Sequence, residues 1–86
     1  MGSASGSVKV NVRYFALLRE ESGLSSETID TQARDTGSLY LELQERFQFS
    51  LGKNQLKVAI NDSFVDWQTN LKDGDEIIFV PPVAGG

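Results

Sequence analysis

The sequence contains no cysteine and no histidine. Without cysteine, disulfides, thiolate metal sites and cysteine nucleophiles are excluded. Without histidine, the commonest general base and the commonest transition-metal ligand are missing. Proline is scarce, and its two copies stand together at Pro81-Pro82. No apolar run approaches the ~20 residues that a membrane-spanning helix requires. Residues 1–7 hold neither the basic nor the hydrophobic segment of a secretory signal, so the cytoplasm is the expected location. Lys and Arg number 8 against 12 Asp and Glu, a net charge of −4. The cations are scattered along the chain. Nucleic acid is disfavoured, because phosphate binding needs clustered positive charge. A basic protein surface is the partner that the net charge favours.

What is present fits one globular domain: 86 residues, 40% hydrophobic and 23% charged. A chain of this size builds a core of about a dozen side chains and has little room for a deep pocket. Met1 through Ser7 is a chargeless run of small residues, read as an expression-tag remnant or flexible lead.

Val8-Lys-Val-Asn-Val-Arg-Tyr-Phe15 alternates as a half-buried strand does, with Val8, Val10, Val12 and Tyr14 on one face. Phe15 is an apolar residue ending the polar face. Ala16 to Gly23 reads as a short helical segment stopped by glycine. Ser26 to Thr31 fits a second strand in a hairpin with the first. Thr36 to Phe49 reads as the main helix, with Leu39, Tyr40, Leu43 and Phe47 on one face and Thr36 or Ser38 as N-cap. Gly37 stands where a better helix former is expected. Leu56 to Asn61 is a third strand, Asn61 to Ser63 a turn and Phe64-Val65 a short return strand. Lys72-Asp-Gly-Asp75 is a turn, and Glu76 to Val80 the last strand. Strands with one helix across a mixed sheet make an α+β two-layer domain over residues 8–80. The helix covers one face only. Phe15, Ile78 and Val80 are expected on the other.

Residues 81–86 read Pro81-Pro82-Val83-Ala84-Gly85-Gly86. The prolines favour an extended path and refuse further sheet pairing. The small residues after them suit a channel only a backbone wide. At the tip stands an α-carboxylate, inert until an oxygen becomes a leaving group, as in an acyl-adenylate. The chain has no phosphate-binding loop, so activation falls to a partner enzyme. With no thiol side chain, a sulfur atom carried by this chain would sit on its last carbonyl as a thiocarboxylate. Glu20-Glu21 and Asp73-Gly-Asp75-Glu76 pair carboxylates, but the first reads as a solvated helix face and the second lacks calcium-loop spacing. Trp67 reads as a packing residue.

Three stretches carry a family resemblance: Tyr14-Phe-Ala-Leu-Leu-Arg-Glu-Glu-Ser-Gly23, Val58-Ala-Ile-Asn61, and Leu71-Lys-Asp-Gly-Asp-Glu-Ile-Ile-Phe-Val-Pro-Pro-Val-Ala-Gly-Gly86. The chain resembles the ubiquitin-like β-grasp proteins and, among them, the small sulfur-carrier subunit of molybdopterin synthase, the MoaD family. The resemblance implies that a ubiquitin-activating-like adenylyltransferase, using ATP, adenylates Gly86, which then becomes a thiocarboxylate. The tail then enters the large synthase subunit and donates sulfur to a pterin precursor, and the catalytic side chains belong to that subunit. It also implies a docking patch of Phe15, Phe64 and Val80. No cofactor or metal is expected on the chain itself. Carriers for thiamine or tRNA thiolation, and ubiquitin-like protein modifiers, are the alternatives.

Overall fold

The computed structural model describes residues 7–82. β1 (Val8–Tyr14) forms where the alternation is strongest: Val10, Val12 and Tyr14 are buried, and Lys9 and Arg13 are exposed. The chain turns out of β1 through Ala16, whose φ of 52° is left-handed and costs about 1–2 kcal/mol for a residue with a Cβ. α1 (Ala16–Ser22) buries Leu18 and stops at Gly23, which takes φ 77° and donates its N–H to the Arg19 carbonyl. β2 (Ser26–Thr31) pairs antiparallel with β1, Val8 opposite Thr31 and Arg13 opposite Ser26.

α2 (Thr36–Phe47) lays Leu39, Tyr40 and Leu43 on the sheet, all fully buried. Its N-cap is Asp35, not Thr36 or Ser38: the Asp35 carboxylate accepts the Ser38 N–H at 2.8 Å. Thr36 is drawn inward instead, its hydroxyl donating to the Asp66 carbonyl at 2.8 Å. Gly37 sits in the first turn because the chain around Trp67 passes against it. Its N–H donates to the Trp67 carbonyl at 2.9 Å, and a Cβ there would stand 3.0 Å from that oxygen. The helix ends two residues before the expected Phe49. Gln48 adopts φ 60° without the help of glycine. The reversal folds Phe49 back into the core, stacked on Tyr40 with ring centroids 5.9 Å apart, and burial of that ring offsets the left-handed strain.

After a single 3₁₀ turn (Lys53–Gln55) come β3 (Lys57–Ile60), β4 (Ser63–Val65) and β5 (Glu76–Val80). Asn61 and Asp62, at φ 50° and 75°, form the two-residue turn with positive φ at both positions that suits a tight hairpin between β3 and β4. The turn before β5 needs Gly74 at φ 90°. It is tied to β1: Gly74 donates its N–H to the Lys9 carbonyl, and the Asp73 carboxylate accepts the Lys9 N–H. The sheet order is β2-β1-β5-β3-β4, with β1 and β5 parallel and the other neighbours antiparallel. The last strand is therefore the central one. Its inner face is Ile77 and Phe79, both fully buried, with Trp67 stacked on Phe79 at 6.1 Å.

Asp35 fixes the start of α2, so Asp35→Ala is expected to cost about 1 kcal/mol at neutral pH. Hydrogen bonding from the Ser38 backbone holds the Asp35 carboxyl below its ordinary value of 3.8. A carboxyl lowered in the folded state stabilises above its unfolded pKa and loses that contribution as pH falls through the folded one. Denaturation midpoints of wild type and Asp35→Ala are therefore expected to differ clearly at pH 7 and to converge at strongly acidic pH.

Candidate functional site

The uncovered face of the sheet is built by register. Tyr14 pairs with Phe79 on the inner side, so Phe15, which keeps extended backbone (φ −130°, ψ 152°), continues the outer row beside Val80. Lys57 stands across from Val80 on the β3 side. One row along, Arg13, Ile78, Ala59 and Phe64 lie opposite one another across four strands. Phe15 and Phe64 are 42% and 69% exposed, whereas every large apolar side chain on the inner face of β5 is fully buried. Ile78 and Val80 are half-buried. The three residues expected as a docking patch thus share one face with Ile78. Sequence reading missed Ala59. Its small side chain is buried between the longer neighbours Phe64 and Ile78 and makes the floor of the patch. The signal was available in the alternation Val58-Ala59-Ile60, where the outward position is apolar rather than polar.

The chain leaves this face at its centre. Lys57 opposite Val80 is the last cross-strand pair of β5. Pro81 then removes the donor that would continue the ladder. A groove of about 270 Å³ runs beside this exit, lined by Asn54, Gln55, Leu56, Lys57, Val80, Pro81 and Pro82. Val83, Ala84, Gly85 and Gly86, the rest of the expected tail, lie outside the described residues.

The Tyr14 hydroxyl donates to Glu27 Oε2 at 2.6 Å, and Arg46 Nη1 reaches the same oxygen at 3.1 Å. Burial, then the Glu27 bond, pushes the Tyr14 phenol far up, so it stays protonated. Burial pushes Tyr40 up to about 12, with Glu21 adding to it. Glu21 itself is occupied by the Ser50 N–H and hydroxyl at 3.1 and 2.8 Å. Asp75 accepts from the Lys72 N–H and the Asn61 amide, which locks the turn before β5. Of the carboxylates singled out in the sequence, Glu21, Asp73 and Asp75 therefore do structural work. No group of three His, Cys, Asp or Glu among the described residues is placed to hold a metal ion. A depression of about 490 Å³ between α1 and the start of β2 gathers only Arg19 and Glu20 as charged groups. No helix among the described residues is long and apolar enough to cross a membrane.

A five-stranded mixed sheet with the first and last strands parallel at its centre, and one helix across a single face, defines a ubiquitin-like β-grasp domain. Residues 12–86 match the ThiS family model, and the chain belongs to the ThiS family. A protein of Mycobacterium tuberculosis named molybdopterin synthase sulfur carrier subunit is 37% identical, over 92% of this chain and 99% of its own length. Among solved structures, a putative molybdopterin converting factor subunit 1 from Pyrococcus furiosus superposes with a TM-score of 0.74 at 33% identity, covering 88% of this chain and 99% of that one. A complex of subunits 1 and 2 of the molybdopterin-converting factor from Helicobacter pylori contains a chain 35% identical to this one. It superposes with a TM-score of 0.63, over 92% of this chain and all of that one.

If the outer aromatic residues serve contacts rather than folding, truncating them leaves stability alone. Phe64→Ala is expected to shift unfolding free energy by no more than about 0.5 kcal/mol, whereas Phe79→Ala, on the same sheet but facing inward, is expected to cost about 3–5 kcal/mol. Urea unfolding of the two variants measures both.

Proposed function

We propose that this chain is the sulfur carrier of a molybdopterin synthase: a non-catalytic small subunit whose functional group is the carbonyl of Gly86. The observation that carries the reading is the exit of the chain at Pro81-Pro82 from the middle of an apolar sheet face that nothing in the described chain covers. The family match supports it, because it runs through residue 86 and so includes the six residues after β5. The names of the relatives in Mycobacterium tuberculosis and Helicobacter pylori support the molybdopterin branch over the other sulfur carriers.

In this reading the sheet face is a handle and the tail a reactive arm. Phe15, Phe64 and Val80, with Ile78 and Ala59 between them, dock on the large synthase subunit and, at another stage, on an adenylyltransferase. Desolvated aromatic anchors of this kind dominate protein interfaces. The six tail residues span at most about 20 Å when extended, enough for the tip to enter a partner's active site while the face stays docked. ATP is used by the activating partner. A Gly86 carboxylate oxygen attacks the α-phosphorus, pyrophosphate leaves, and a sulfur donor then displaces AMP to leave –C(=O)S⁻. Gly85 and Gly86 suit a narrow channel because neither carries a side chain. The chain supplies no base or metal to these steps; its contribution is binding and presentation.

Deleting Gly86, or appending one residue after it, is expected to abolish molybdopterin formation in a system reconstituted with the large subunit, the adenylyltransferase, ATP and a sulfur donor. The thermal midpoint is expected to stay unchanged. Product formation at the wild-type level by either variant would contradict the proposal.

A further inference from the structure

The net charge of −4 suggests a basic partner, but the outer sheet face carries the opposite sign. By register its charged residues are Lys9, Arg13 and Lys57 against Asp30 and Glu76. Of the 8 cations and 12 carboxylates in the chain, five cations and ten carboxylates therefore lie elsewhere. The face is locally positive on a strongly acidic molecule. Its charges are also sorted along the strands. Lys9 stands directly opposite Asp30, at the end of the face away from Phe15. Arg13 and Lys57 stand at the apolar end, Arg13 across from Ile78 and Lys57 across from Val80, on opposite sides of β5.

Neither of these two cations is spent inside the fold. The Arg13 guanidinium lies 5.6 Å from the Phe15 ring centroid and 3.5 Å from Glu76, with half its side chain in solvent. At that distance and exposure the pair contributes little to stability. No carboxylate among the described residues forms an ion pair with Lys57. Yet each borders the groove or the aromatic patch from which the chain departs.

We infer that the partner seated on this face is a protein surface whose apolar pocket is bordered by carboxylates facing Arg13 and Lys57, and that these two cations steer and orient the encounter. The inference rests on the docking reading above and specifies its electrostatics. Phe15, Phe64 and Val80 supply the buried contact. Arg13 and Lys57 sit at its rim, where charges act on association rate and orientation more than on dissociation. The acidic remainder of the molecule is repelled by the same carboxylates, so only this face approaches productively. Glu76 competes for Arg13 and damps the effect.

The test is the rate of association with the large synthase subunit, followed by stopped-flow mixing across a range of ionic strengths. Arg13→Gln with Lys57→Gln is expected to lower the association rate about tenfold at low salt, to flatten its salt dependence and to leave the dissociation rate nearly unchanged. Glu76→Gln is expected to raise the association rate, because it releases Arg13. That opposite sign separates steering from a structural role, since loss of a structural ion pair would act in the same direction from either partner. Arg34→Gln, which removes one cation away from the face, is expected to have a much smaller effect than Arg13→Gln or Lys57→Gln alone. Wild-type salt dependence in the double variant, or a slower association for Glu76→Gln, would overturn the inference while leaving the carrier reading intact. Failure of the wild-type chain to bind the large subunit at all would overturn both.

Discussion

β1 and β5 run parallel and side by side, and the rest of the molecule is arranged around that pairing. Parallel neighbours need a long crossover between them. Here the crossover contains α1, β2, α2, the 3₁₀ turn, β3 and β4. Because the crossover helix covers one face, the pair is buried on that side by Leu39, Tyr40 and Leu43. The pairing also makes the last strand central, so the chain leaves the sheet from its middle rather than from an edge. A tail beginning there starts beside Phe15 and Val80, whatever path it takes next.

The one-sided core has a consequence for every outward residue. Inner and outer positions alternate strictly along β5, so Ile77 and Phe79 are sealed while Ile78 and Val80 stay partly open. An apolar strand in the middle of a sheet is normally covered on both faces. The missing cover is the structural reason to look for a partner. The charges agree with it: acidic groups dominate the chain but not this face, so the surface that lacks a cover also differs in sign from its surroundings.

Much of this was legible from residue order. The alternation Val8-Val10-Val12-Tyr14 set the inner face of β1, and the spacing of Leu39, Tyr40 and Leu43 set the buried stripe of α2. The positions that escaped are those where tertiary contacts override local preference. Asp35 rather than Thr36 caps α2 because Thr36 is recruited by the Asp66 carbonyl thirty residues away. Gly37 looks like a poor helix residue until the Trp67 carbonyl is placed against it. α2 stops at Phe47, where the left-handed Gln48 turns the chain so that Phe49 stacks on Tyr40. The net charge did not reveal that the outer face carries three cations against two carboxylates, because composition carries no information on which face a charge occupies. For the site, Phe15 was visible as an apolar residue at the end of a polar alternation. Ala59 left a fainter trace, an apolar residue at the outward position between Val58 and Ile60, and its place in the patch follows only from its cross-strand neighbours Phe64 and Ile78.

The central claim is that the chain works through its last carbonyl while the folded part presents it. The most direct measurement is the intact mass of the protein after incubation with the adenylyltransferase, ATP and a sulfur donor, followed by fragmentation to locate any change. The account predicts a gain equal to replacing one oxygen by one sulfur, confined to Gly86 and dependent on ATP. No gain, or a gain located at Met1 or anywhere upstream of the terminal residue, would contradict it.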